Sequence, residues 1–181
     1  MAEPSFHLRR AGPADAPALA EFAARIFSDT FAADNRPEDM AAHLADRFGV
    51  RQQTDELVHP EIITLVVEDD GGRLIAYTQV RRIPPPDCVT GEAPVELGRF
   101  YVDRPWQGRG LAQRLMAAAQ AAARELGGRT FWLCVWERNP RAIAFYEKCG
   151  FRDVGTKEFQ LGADLQTDRV MAGDLARLGT G

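Results

Sequence analysis

The sequence predicts one mixed α/β (α+β) domain, a central sheet of about 6–7 strands, parallel in part, flanked by about four helices. Three observations carry that reading. Ile62 to Glu68 is rich in β-branched residues and is separated by Asp70-Gly71-Gly72 from a second apolar run, Leu74 to Arg82, which is the pattern of a hairpin. Thr130 to Trp136 is almost continuously apolar, as in a strand covered on both faces, and helical patterns precede and follow it. A chain of 181 residues buries roughly two-thirds of its unfolded surface in one core and is short for two ordinary domains, so residues 1–181 are read as a single domain.

Taken in order, Phe6 to Arg10 alternates apolar and polar residues before Gly12-Pro13, a first strand and its turn. Leu19, Phe22, Ile26 and Phe27 recur near helical spacing within Pro13 to Thr30, with Asp15 as a cap. A second helical pattern runs from Pro37 to Phe48 through Met40 and Leu44 and continues less regularly toward Leu57. After the hairpin, three consecutive prolines and Gly91 make Ile83 to Pro94 a loop, expected beside a substrate entrance. Val95 to Val102 reads as a strand, and Gly110 to Leu126 as a helix with Leu111, Leu115, Ala118, Ala122 and Leu126 on one face, stopped by Gly127-Gly128. Asn139-Pro140 caps and opens a helix through Cys149. Phe151 to Leu161 and Leu165 to Met171 form a last pair of strands.

Composition narrows the function. With 45% apolar residues and a net charge of −4, the chain is globular and unsuited to general nucleic-acid or anionic-membrane binding, so cationic small molecules are the more natural visitors. Met1 to Arg10 lacks a secretory signal pattern and no window approaches 18 apolar residues, which implies a cytoplasmic location. Cys88, Cys134 and Cys149 have neither CxxC spacing nor an even count, so no disulfide framework and no metal site is expected. His7, His43 and His59 are scattered singly.

The chemistry concentrates after the strand ending at Val102. Gln107-Gly108-Arg109-Gly110-Leu111-Ala112 lets backbone N–H groups approach an anion without Cβ interference, at the positive end of a helix that starts there, so a diphosphate is a suitable ligand. A dinucleotide fingerprint needs a third glycine where Gln113 stands, and a P-loop needs a Gly-Lys-Ser/Thr that is absent. The loop resembles the Gln/Arg-x-x-Gly-x-Gly/Ala signature of the GCN5-related N-acetyltransferases (GNAT). Asn139-Pro140-Arg141-Ala142-Ile143-Ala144-Phe145-Tyr146-Glu147-Lys148-Cys149-Gly150-Phe151 is similar to that family's Asn-x-x-Ala-x-x-Phe-Tyr-x-x-x-Gly-Phe segment, and the likeness extends from about Phe6 to Leu175. Glu96-Leu97-x-Arg99-x-Tyr101-Val102 and Val135-Trp136-Glu137-x-Asn139 look like the bacterial branch that acetylates spermidine and related polyamines.

The resemblance implies a GNAT fold and an acetyl-CoA-dependent transfer of an acetyl group to a primary amine of a small molecule. It places the cofactor on Gln107 to Ala112, on backbone groups of Phe100, Tyr101 and Val102, and on Asn139, which competes for the same side chain as a helix cap. It makes Tyr146 the proton donor to the departing thiolate and Glu96 the general base, often through water. A base matters because an amine of pKa near 10.4 is neutral in only about one molecule in 2,500 at pH 7. Glu96 also reads as a strand carboxylate or a partner of Arg99, Tyr146 as a packing residue, and Trp132 and Trp136, on one strand face, as core. Glu38, Asp39, Asp87 and Glu92 are the acidic candidates for receiving a cationic acceptor beside Glu96. A CoA sensor without turnover, and an enzyme acting on protein or peptide amines, are the alternatives. Such folds commonly form homodimers, although no residue pattern here demands one.

Overall fold

The computed structural model describes residues 5–181. Strands β1 (Phe6–Arg10), β2 (Ile62–Asp69), β3 (Leu74–Arg81), β4 (Pro94–Val102), β5 (Thr130–Trp136), β6 (Arg152–Leu161) and β7 (Asp164–Asp174) lie side by side in the order β1-β2-β3-β4-β5-β7-β6. All neighbours are antiparallel except β4 and β5, which are parallel and joined by a helical crossover. The helices are α1 (Ala16–Phe31), α2 (Pro37–Arg47), α3 (Val50–Val58), α4 (Leu111–Glu125) and α5 (Pro140–Lys148). This is the mixed, flanked sheet the sequence predicts. No described helix is long and apolar enough to cross a membrane.

Period-2 alternation divides the core. On β5, Phe131, Leu133 and Val135 pack with Met116, Ala119 and Ala123 of α4 and with Ile143 of α5. Trp132, on the opposite face, is fully buried with Val89 and Val170. Leu19, Phe22 and Ile26 of α1 bury against Val66 and Tyr77 across the sheet's other side. Helices α4 and α5 therefore cover one face of β5 and the segment around Val89 covers the other, and the near-continuous apolar run of β5 follows from that.

Four expectations are corrected. The second helical pattern is two helices, because Phe48 leaves helical geometry and Gly49 is extended (φ −68°, ψ 154°) before α3 restarts. Asp15 does not cap α1 with its side chain. Its carboxylate accepts from the Gly12 N–H at 2.8 Å and pairs with Arg9 at 2.7 Å, closing the turn in front of the helix. Pro94 begins β4 rather than ending the loop, an allowed place because a first strand residue can forgo its N–H. The proline-rich loop packs over β5, β6 and β7 through Val89 and Cys88, and Gly91 abuts the Thr130 side chain, so it lies away from the cleft described below.

Candidate active site

Parallel pairing between β4 and β5 is limited to Pro94–Thr130, Val95–Phe131 and Glu96–Trp132. Beyond it β4 stays with β3 as far as Ala76–Val102, while β5 follows β7 as far as Trp136–Asp168. A wedge opens, and backbone groups of Leu97 to Val102 that face it have no strand partner among the described residues. The splay starts at a bulge: Gln79 pairs with Arg99 and Val80 with Leu97, leaving Gly98 as the extra residue. A Cβ on Gly98 would stand 2.6 Å from Arg81 Nε, so any larger residue there would push the Arg81 side chain out of its place. That guanidinium crosses over the bulge and donates to Oε2 of Glu96, its direct cross-strand neighbour.

At the far end of the wedge the chain turns into α4. Asp103 is buried, accepts the Arg104 N–H at 2.9 Å and pairs with Arg25 at 2.8 Å, which pins a 3-10 turn over Arg104–Trp106. Gln107 Nε2 then donates to the Val102 carbonyl at 2.9 Å. Gly108 (φ 76°) and Gly110 (φ 78°) follow in the left-handed region, which costs other residues about 1–2 kcal/mol. No protein atom lies within 4 Å of a Cβ built at either glycine, so the corner faces open space. The first helical bond runs from the Arg114 N–H to the Gly110 carbonyl at 3.3 Å, so the N–H groups of Leu111, Ala112 and Gln113 precede the ladder and are available to a ligand.

Corner and wedge form one cleft of about 1000 Å³, the upper end for small-molecule sites. Glu96 and Tyr146 both line it, and so do seven of the ten cofactor candidates. The other three are accounted for locally: the Arg109 guanidinium lies over the Trp106 ring at 5.8 Å, Leu111 is fully buried in the core, and Gly110 caps α4 with its backbone alone. The side chain of Asn139 accepts the Ala142 N–H at 3.2 Å as a helix cap and still borders the cleft.

Tyr146 is buried on α5, edge-on to Phe100 at 6.2 Å and to Phe151 at 5.9 Å. Burial raises its phenol pKa above the ordinary value, keeping it protonated at neutral pH. Burial, then the nearby Glu96 charge, pushes the Cys134 thiol up to about 12, so this cleft cysteine is a poor nucleophile. Arg99 does not pair with Glu96. It pairs with Glu56 of α3 at 2.7 Å, where Gln79 also donates to the carboxylate at 2.8 Å.

Among the acidic acceptor candidates, Glu38, Asp39, Asp87 and Glu92 all lie off the cleft. Asp39 is buried and accepts the Ala163 N–H at 2.7 Å, and Glu92 is an exposed partner of Arg129. Three lining residues escaped the sequence reading. Trp136 is half-buried and meets Phe31 edge-on at 6.0 Å, so it belongs to the site rather than the core; His43 stacks on Phe27 at 4.8 Å; and Asp168 reaches in from β7. Their signal was non-local, arising from strand register and helix packing.

The family model for the acetyltransferase (GNAT) family matches residues 21–151. The chain belongs to the GNAT family of acetyltransferases. An N-acetyltransferase of Mycobacterium tuberculosis is 33% identical over 89% of this chain and 98% of its own. The aminoglycoside N(6')-acetyltransferase type 1 of Stenotrophomonas maltophilia is 30% identical over 81% of this chain and 86% of its own. Among solved structures, the PaiA N-acetyltransferase of Thermoplasma acidophilum in complex with coenzyme A superposes with a TM-score of 0.75 at 19% identity, over 94% of this chain and 99% of that one. The fold is therefore the GNAT fold, and the protein is a GNAT N-acetyltransferase.

Proposed function

We propose that this GNAT enzyme binds acetyl-CoA along the corner and wedge and transfers the acetyl group directly to a primary amine of a small cationic molecule, both substrates being bound together. The observation that carries the reading is continuity: an open, two-glycine corner leads into unpaired β4 backbone and ends beside Tyr146. The diphosphate takes the N–H groups at the start of α4. The pantetheine arm lies in the wedge as an added strand beside β4. Backbone N–H groups of Phe100 to Val102 polarise the thioester carbonyl.

The neutral amine attacks the carbonyl carbon, a tetrahedral intermediate forms, and the C–S bond breaks. Tyr146 gives its proton to the departing thiolate. Glu96, held by Arg81, removes the amine's proton through an intervening water. The aminoglycoside relative is named for a cationic acceptor, which agrees with an acidic chain and with the polyamine-like segments around Glu96 and Trp136.

Gly108→Ala tests the cofactor part. The added methyl meets no protein atom, so the fold bears only the conformational cost, while the methyl occupies the space the diphosphate needs. The KM for acetyl-CoA is expected to rise by about tenfold or more, equivalent to about 1.4 kcal/mol of binding. An unchanged KM in steady-state thiol release counts against the corner as the diphosphate site.

A further inference from the structure

Asp168 on β7 is a cleft carboxylate to which the reaction above gives no task. It stands directly opposite Trp136 of β5 and Lys157 of β6. Three other cleft carboxylates are neutralised by guanidinium groups: Asp29 and Asp103 by Arg25, and Glu96 by Arg81. Glu158 is exposed to solvent. Half-buried Asp168 has no ion pair among the described residues. Its charged and titratable neighbours are Lys157 from β6, which is exposed, Glu137 just beyond β5, Cys134 on β5 and Tyr101 on β4. Burial pushes the carboxyl up to about 6, Lys157 pulls the other way, and Glu137 adds to the rise. A desolvated anion without a partner is costly in the empty enzyme, and a cation supplied by a ligand relieves that cost.

The surroundings fit an ammonium on an apolar stem. Trp136 and Phe31 meet at 6.0 Å and Phe27 backs Phe31 at 4.7 Å, all three lining the same cleft. Aromatic faces attract cations and pack against methylenes. Burial, then Arg47, lowers the His43 pKa, so this ring is neutral near pH 7 and does not repel a cation. Glu96 is level with Trp132 and Asp168 with Trp136, so the carboxylates lie roughly 13 Å apart along the strands at about 3.3 Å per residue. They share one face of the sheet.

We propose that Asp168, walled by Trp136 and Phe31, receives a second ammonium group of the acceptor, and that the enzyme selects flexible di- or polyamines over monoamines. The inference rests on the amine-acetyltransferase reading and assigns its acceptor class. The anchored ammonium does not react; it places a distant amine of the same molecule at the thioester.

The test compares linear alkyl monoamines with α,ω-diamines of matched chain length by thiol release from acetyl-CoA. The wild-type enzyme should favour the best diamine by about tenfold or more in kcat/KM. Asp168→Asn should collapse that ratio to about twofold or less, and Asp168→Glu should retain most of it. The ratio should also decay as pH falls through about 6, where the carboxylate becomes neutral, and this decay should be absent from Asp168→Asn. The melting temperature of Asp168→Asn should not fall, because a desolvated charge has been removed. A wild-type enzyme indifferent to the second amine, or an Asp168→Asn ratio equal to wild type, overturns this inference while leaving the acetyltransferase reading intact. Absence of amine-dependent thiol release with every amine overturns both.

Discussion

Tyr146→Phe should lower kcat by about 10²-fold or more while the KM for acetyl-CoA stays within about twofold, since positioned proton transfer contributes about 10²–10⁴-fold. The substitution removes one oxygen and keeps the ring. The packing against Phe100, Phe145 and Phe151 that holds the side chain survives. Single-turnover thiol release separates the two effects, and a kcat equal to wild type would remove Tyr146 from the chemistry. Because burial raises this phenol's pKa, the wild-type side chain remains protonated throughout the neutral range, and no loss of rate from its ionisation is expected near pH 7.

Glu56→Ala should lower folding stability by about 3–5 kcal/mol, because it leaves the Arg99 guanidinium buried without its counter-charge. Both side chains are about one-tenth exposed, at 2.7 Å, and Arg99 also lies 5.1 Å from the Phe48 ring centroid. The pair ties α3 to the β4 edge of the wedge, so its loss should also loosen the cleft. Burial pushes the Glu56 pKa up, but the Arg99 charge and the hydrogen bonds from Gln79, Gln52 and Arg99 outweigh it, and the net shift is downward. A lowered folded value means that the unfolded chain binds the proton more readily. The stabilisation is therefore complete well above the unfolded glutamate value of about 4.3 and lost as pH falls through the lower folded value. Urea unfolding at a series of pH values should show this acid-side loss in wild type and a smaller one in Glu56→Gln. Identical pH dependence would assign the acid lability to other carboxylates.

What was legible in the sequence was what local chemistry determines. β-Branched runs and Asp70-Gly71-Gly72 marked the β2–β3 hairpin, Asn139 marked the start of α5, and Gly108 with Gly110 marked a corner whose left-handed backbone the structure contains. The α2–α3 break was obscured because the apolar pattern thins after Phe48 to Val50 and Leu57 among polar helix-compatible residues, and Gly49 is the one local signal of a break. Acceptor-side residues were misread for a different reason. Asp39 and Glu92 were chosen by their position near presumed entrances, but where a carboxylate ends up depends on packing between distant segments. The Arg81–Glu96 pair follows from the β3–β4 register and the setting of Asp168 from β5–β7 pairing, neither of which is contained in local spacing. Family likeness proposed Tyr146 and Glu96 as reacting groups, whereas the Arg99–Glu56 tie between α3 and β4 required the fold.

The most direct test is calorimetric titration of the purified chain with coenzyme A, beside the Gly108→Ala variant. Saturable one-to-one binding, weakened at least about tenfold by the added methyl, is expected if main-chain amides at this turn hold the diphosphate. No measurable binding to the folded wild-type protein, or equal affinity in the variant, would contradict it.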